Sequence, residues 1–279
     1  MTRTEMKLEA LRGAAGSAPE YAEILPFFIA IQEYIKGREG LTGISATPTA
    51  ALDERNREGF PLLSPIDLVV EREAALGFLS GLSDVVKANG KAADEQLDKL
   101  LAALQGGELD PARLFSAILE RRREPLEQTA EQIGVQAPLV EFLLEIPLRV
   151  WLESFAAGYQ MTDVAGWQEG FCPICGSRPV MSEISGDDGR RFLACSSCSF
   201  KWPFKRIRCL RCGNEETEQQ SYFTVDEGPV RVDICKACHC YIKTRDARKG
   251  GADIPLDVVD ALTIHLDLMA AREGYERER

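Results

Sequence analysis

Histidine is almost missing from this chain, with two residues in 279, so acid–base chemistry through imidazole has few candidates. Cysteine is absent from the first 171 residues and from the last 39; all nine fall between Cys172 and Cys240. No long apolar run exists: the stretch from Ile24 to Ile31 is far shorter than the ~18–20 residues of a membrane-spanning helix. Positive charge is in deficit, with 33 Lys+Arg against 44 Asp+Glu and a net charge of −11, which excludes a surface that grips polyphosphate as a whole. Any contact with nucleic acid would have to be local. Neither a Gly-x-Gly-x-x-Gly loop nor a Gly-x-x-x-x-Gly-Lys loop occurs, so the sequence carries no dinucleotide fingerprint or P-loop. The opening Met1-Thr2-Arg3-Thr4-Glu5-Met6-Lys7 has no apolar stretch of the secretory kind, and the expected location is a reducing cytoplasm.

What is present divides the chain by texture. Hydrophobic residues make up 45% and charged residues 28%, a globular balance. Up to about residue 166 the period is helical. Residues 20–38 place Ile24, Phe27, Phe28, Ile31 and Ile35 on one face, with Pro19 in the opening turn after Ser17 or Ala18. Residues 42–65 carry Pro48, Gly59, Pro61 and Pro65 without a sustained period and read as a loop draped over the helices. Further helices are expected over 71–87, 92–104, 111–120, 125–133 and 138–161, the last kinked at Pro147. Asp110 before Pro111 is a good helix start, because its carboxylate can accept first-turn amide hydrogens. Short connections favour an antiparallel bundle. Residues 167–248 switch to short apolar-polar runs with turns at Gly186-Asp187-Asp188-Gly189 and Asp226-Glu227-Gly228-Pro229. Over 249–279 a helical stripe returns and is expected to pack back on the body as one helix. The fold class read here is α plus a small metal-bound β part, with boundaries at 1–166, 167–248 and 249–279.

The middle region holds four C-x-x-C pairs: Cys172/Cys175, Cys195/Cys198, Cys209/Cys212 and Cys235/Cys238. The first and third share a phrase, Cys172-Pro173-Ile174-Cys175-Gly176 and Cys209-Leu210-Arg211-Cys212-Gly213, and each precedes a candidate hairpin and another pair. That is an internal duplication. A two-residue gap lets a tight turn aim both sulfurs at one ion, and the glycine that follows can take the positive φ that closes the knuckle. Two knuckles complete a tetrahedral sulfur site of the zinc-ribbon kind. The expected pairing joins Cys172, Cys175, Cys195 and Cys198 in one site and Cys209, Cys212, Cys235 and Cys238 in another. Spacing also admits a crossed arrangement in which the first and third knuckles share an ion. Either way the thiolates fill the coordination shell, leaving no open position for an activated water, so the metals read as structural or electron-transferring. Four sulfurs suit zinc and mononuclear iron equally.

His239 and Cys240 extend the last knuckle and read as a polar loop side chain and a spare thiol, or else as a reactive thiol or a substitute ligand. His265 lies in the terminal helix and is not expected to be a ligand. Between the second and third knuckles runs Phe200-Lys201-Trp202-Pro203-Phe204-Lys205-Arg206-Ile207-Arg208. Its aromatics and cations can dock an acidic partner or contact nucleic acid through Lys201, Trp202, Lys205, Arg206 and Arg208; alternatively Trp202 and Phe204 pack inside while the cations balance thiolate charge.

The helical start followed by Gly170-Phe171-Cys172-Pro173-Ile174-Cys175-Gly176-Ser177-Arg178-Pro179, Cys195-Ser196-Ser197-Cys198, Trp202 and Arg206, then Cys209-Leu210-Arg211-Cys212-Gly213, Cys235-Lys236-Ala237-Cys238 and Tyr241-Ile242-Lys243, resembles the formate dehydrogenase accessory protein family, FdhE. The resemblance spans most of the chain. It implies a cytoplasmic, non-enzymatic accessory protein with two rubredoxin-like mononuclear centres, iron favoured over zinc, that binds the catalytic subunit of formate dehydrogenase during its maturation. It implies that the eight paired cysteines are metal ligands and gives Cys240 no role. Two other classes stay open on the residues alone: a zinc-ribbon nucleic-acid binder, which the acidic total disfavours, and a C-x-x-C thiol oxidoreductase, which needs metal-free pairs.

Overall fold

A computed structural model describes residues 1–16, 19–90, 94–225, 228–250 and 253–277. The start expected at residue 92, the helix opening at Ser17 or Ala18, and the Asp226-Glu227 half of the second turn lie outside the described residues. In chain order come α1 (Arg3–Ala15), α2 (Leu25–Ile35), β1 (Ile44–Ala46), α3 (Leu52–Arg57), β2 (Leu68–Val70), α4 (Arg72–Asn89), α5 (Asp94–Gln105), α6 (Pro111–Leu119), α7 (Glu124–Ile133) and α8 (Ala137–Ala156). Then follow β3 (Pro179–Ser185), β4 (Arg190–Cys195), β5 (Lys201–Phe204), β6 (Gln220–Phe223), β7 (Val230–Cys235), β8 (Cys240–Asp246), α9 (Leu256–Ala261), α10 (Ile264–Arg272) and β9 (Glu276–Arg277). The chain forms two units, Met1–Thr49 with Leu63–Phe155, and Ala50–Leu62 with Ala156–Arg279.

The first unit is helical. Its helices start where side chains accept the unpaired amides of the first turn: Thr2 and Glu5 form a capping box on α1, Glu71 accepts from Glu73 and Ala74 on α4, and Asp110 accepts from Ala112 at 3.0 Å on α6. α2 opens at Leu25 with Pro26 in its first turn, and not at Pro19, because a helix begun at Pro19 would place Pro26 in its interior, where its missing amide hydrogen would break the ladder. α1 packs on α2, α2 on α4, and α4 on α5 and α6. Phe142 of α8 stacks on Phe27 of α2, and Leu79, Leu82, Leu97, Leu100, Phe115, Leu143 and Leu144 are fully buried. α8 runs through Pro147 as one helix and stops at Ala156, short of the expected 161.

The second unit is built on one seven-stranded sheet with order β5-β4-β3-β8-β7-β6, β9 pairing with β8. Each half is an antiparallel meander, and the halves join through the parallel pair β3/β8, with Ser182 opposite Thr244. The two cysteine modules therefore share a sheet. The expected single terminal helix is two: α9 covers Met181 and Ala194 with Leu256 and Val259, and α10 covers Val232 and Tyr241 with Leu266 and Ala270. The break between them has a chemical cause in Lys243, which is fully buried on β8. Its ammonium donates to the carbonyls of Asp260 at 2.8 Å and Thr263 at 3.3 Å and pairs with the carboxylates of Asp260 and Asp267. In the turn between the helices these carbonyls also accept from the amides of Thr263 at 3.2 Å and Leu266 at 3.0 Å, so the ammonium of Lys243 is a further donor to each.

The loop expected to drape over the helices is divided between the units. Residues 50–62, with α3, belong to the second: Leu62 donates to the carbonyl of Pro173 at 2.8 Å, Asn56 to the same oxygen at 3.2 Å, and a Cβ on Gly176 would meet Pro61 at 3.2 Å. The second unit accordingly begins at Ala156, ahead of the texture change at 166.

Candidate metal centres

Each knuckle is a turn closed by a left-handed residue. Gly176 and Gly213 follow the first and third pairs with φ of 74° and 70°, and Ser199 and His239 follow the second and fourth with 59° and 56°. Gly176 donates to the carbonyl of Cys172 at 2.9 Å and Gly213 to that of Cys209 at 3.0 Å; Cys172 and Cys209 donate in turn to Ser177 and Asn214. The sequence duplication is thus a duplication of hydrogen bonds. Trp167 supports the first knuckle from behind, its indole donating to the carbonyl of Phe171 at 2.8 Å and its ring edge-on to that of Phe171.

The thiols gather in two groups, Cys172, Cys175, Cys195 and Cys198, and Cys209, Cys212, Cys235 and Cys238, the sulfurs of each lying within 4.8 Å of one another. The first knuckle faces the second and the third faces the fourth; the crossed arrangement does not form. Sulfur separations are 3.4 Å for Cys172/Cys198 and Cys175/Cys195, 3.6 Å for Cys209/Cys238 and 3.8 Å for Cys212/Cys235. A tetrahedron with metal–sulfur bonds of ~2.3 Å has edges of about 3.8 Å, so both groups have the dimensions of a four-thiolate ion site. Amides of Ile174, Ser197 and Cys198 point at Cys172 and Cys195 sulfurs at 3.3–3.4 Å, as a charged thiolate requires.

Ionisation makes the same case. In the first group burial pushes the Cys172 and Cys198 thiols well up; burial opposes Cys175 too, but hydrogen bonds from Cys172, Cys195, Cys198 and Ser177 carry it well down. One sulfur ionises at its neighbours' expense, and all four can do so together only around a cation. The first group is entirely buried, whereas Cys212 of the second is exposed and Cys238 half-buried. Cys240 lies buried beside that second group, opposite Cys235 in the β7/β8 ladder, and its hydrogen bond to Cys209, ahead of amides at Arg211 and Cys212, brings Cys209 down to about 4. His239 contributes backbone: its carbonyl accepts from Glu276 at 2.7 Å, and its ring lies 5.8 Å from that of Tyr275.

The basic stretch is not one surface. Trp202 is fully buried, donating to the carbonyl of Glu169 at 3.1 Å, so it cannot anchor a partner. Lys201 pairs with buried Glu183 at 2.8 Å, Lys205 with Glu215 at 2.9 Å, and Arg208 donates to the carbonyl of Gln168 at 3.1 Å. Arg206 is exposed and, among the described residues, meets no carboxylate at ion-pair distance. Sequence reasoning missed residues 50–62, which carry no ligand-type pattern, and Lys243, whose burial shows only once β8 is placed inside the sheet.

Fold and clusters together define a tandem four-cysteine protein with a helical amino-terminal unit. Residues 171–206 match the family model described as the FdhE central domain. The chain is 29% identical to the protein FdhE homolog of Aquifex aeolicus over 266 residues, covering 92% of this chain and 87% of that one. It is 35% identical to the FdhE homolog of Edwardsiella ictaluri over 117 residues, 40% of this chain and 37% of the relative. The crystal structure of the FdhE protein from Pseudomonas aeruginosa superposes with a TM-score of 0.70 at 22% identity, covering 100% of this chain and 95% of that one. The chain is therefore related to the FdhE family over most of its length. No helix among the described residues is long and apolar enough to cross a membrane.

Proposed function

We propose that this protein is a non-catalytic accessory factor in the maturation of formate dehydrogenase, acting by binding the catalytic subunit, and that each cysteine group holds one mononuclear metal ion. The observation that carries the reading is the pair of closed four-sulfur sites in a chain that aligns over 92% of its length with the FdhE homolog of Aquifex aeolicus. Cys172, Cys175, Cys195 and Cys198 would hold one ion and Cys209, Cys212, Cys235 and Cys238 the other. A bound ion supplies cross-linking of two hairpins and, if it is iron, a one-electron couple. The chain's own residues do the rest: knuckle amides stabilise thiolate charge, α9 and α10 cover the sheet, and residues 50–62 hydrogen-bond to the first knuckle.

The test is in cells. Formate dehydrogenase activity and co-purification of its catalytic subunit are measured in a strain lacking this protein and again with the full chain restored. Activity and capture that both depend on the chain support the reading. Normal activity without it, together with no capture of the subunit, would reject it.

A further inference from the structure

We propose that Cys240 is a resolving thiol: when a hydroperoxide reaches the second cysteine group, Cys240 closes a disulfide with Cys209 and the ion held there is released. The proposal rests on the reading of that group as an ion site.

The internal duplication isolates Cys240. Four thiols fill the shell of one ion, and Cys240 is a fifth beside the second group. In the sister module Cys198 is followed by Ser199 and Phe200, where Cys238 is followed by His239 and Cys240. The two positions correspond in the ladder: Cys195 donates to the carbonyl of Phe200 at 2.9 Å, and Cys235 stands opposite Cys240. Both side chains are buried. A phenylalanine serves the first module at this place, so the hairpin itself does not call for sulfur.

Contact and access then select the partner. Cys240 packs against Cys209 and Cys235, and its thiol hydrogen-bonds to Cys209; another acceptor, the carbonyl of Tyr241, lies 3.7 Å away. A groove of about 260 Å³ is lined by Cys209, Cys235 and Cys240 and reaches the surface at exposed Tyr222 and Ile207. It admits hydrogen peroxide, a molecule little larger than the water whose share of liquid volume is ~30 Å³. None of the first group's cysteines lines this groove.

The chemistry balances with hydrogen peroxide as the oxidant. Bound to an ion, Cys209 is already a thiolate, the nucleophilic form. Its sulfur attacks one peroxide oxygen, the O–O bond breaks, a sulfenic acid forms and hydroxide leaves. The Cys240 sulfur attacks the Cys209 sulfur, the S–S bond forms as the S–O bond breaks, and the departing hydroxide takes the Cys240 proton as water. The two sulfurs have given two electrons to the peroxide. A sulfenic acid on any other ligand has only a further ligand in its own group to close on, whereas Cys240 occupies no position on the ion. Cys209 is then lost as a thiolate, and the ion is left with Cys212, Cys235 and Cys238.

The test uses the full chain loaded with zinc, an ion without redox chemistry. Zinc is counted before treatment; a chain holding fewer than two ions fails the ion-site reading at that step, and the peptide map still reads the disulfide. After hydrogen peroxide is added, zinc release is followed with a chromogenic chelator and the remaining thiols are alkylated. Trypsin places Cys209, Cys212 and Cys235 in separate peptides and Cys238 with Cys240 in residues 237–243, where fragment masses tell them apart. Loss of one zinc is expected, with residues 209–211 linked through Cys240 and Cys238 alkylated. Cys240→Ala should bind both ions, lose the link and release the second zinc more slowly. Cys240→Ser should do the same, and the map of the unaltered chain decides even if both variants bind zinc poorly. Retention of both ions, loss of zinc with Cys240 still alkylated, a link from Cys240 to Cys235, a link confined to Cys212 and Cys238, or unchanged release in both variants would overturn the proposal.

Discussion

At the scale of single residues, the segment from Phe200 to Arg208 shows how one pattern supports opposite readings. Its alternation of aromatic and cation is the two-residue period of a strand: on β5, Trp202 and Phe204 point inward, and Lys201 and Pro203 point toward the rim. Pro203 is tolerated because β5 is an edge strand. The period was visible in the sequence; which face met water depended on β4 beside it and on Glu169 accepting the indole. Trp202→Ala should therefore cost about 3–5 kcal/mol of stability, the usual range for deleting a large buried aromatic. Urea unfolding of the metal-loaded chain checks this, and a loss below about 1 kcal/mol would show that the indole is not part of the core. Lys243 is the second such residue. Lys243→Met removes one partner of a buried ion cluster and leaves Asp260 and Asp267 with Arg277 as their cation and the Tyr241 hydroxyl donating to Asp267, so a loss of about 3–5 kcal/mol is expected in the same assay. A variant as stable as the parent would mean that burial of the ammonium and its gains cancel.

Among elements, the knuckles were the most legible part of the chain, because sulfur spacing and the glycine after two of them are local properties. The other two knuckles end in Ser199 and His239, residues that do not announce a positive φ, and only the repeat made them comparable. Less legible was the parallel β3/β8 pair, since strands about sixty residues apart leave no local mark of their pairing. The α9/α10 break was hidden for the same reason: its cause sits on β8. A difference in exposure between the clusters gives a kinetic prediction. A competing chelator should strip the ion of the second cluster, with exposed Cys212 and half-buried Cys238, before that of the buried first cluster. Time-resolved release from the parent should be biphasic, and Cys238→Ser should eliminate the fast phase alone; one uniform phase would show the clusters to be equally accessible.

For the whole molecule, the consequential feature is that residues 50–62 are distant in sequence from the cysteines yet hydrogen-bonded to the first knuckle at Pro173. Nothing in the composition of that loop revealed it, because an isolated apolar turn with Pro61 and Leu62 fits many surfaces. Removing metal should raise amide hydrogen exchange in 50–62 together with 171–178, while α4, α5 and α8 keep their protection because their leucine core needs no ion. Loss of protection in those helices as well would make the two units one cooperative body. The claim on which the account depends most is that both sulfur groups are ion sites. It is tested most directly by elemental analysis, with a visible spectrum, of the full chain purified without oxygen, beside its Cys175→Ser and Cys238→Ser variants. The account predicts two metal ions per chain in the parent and one in each variant; a parent with fewer than two, or variants that still carry two, would contradict it.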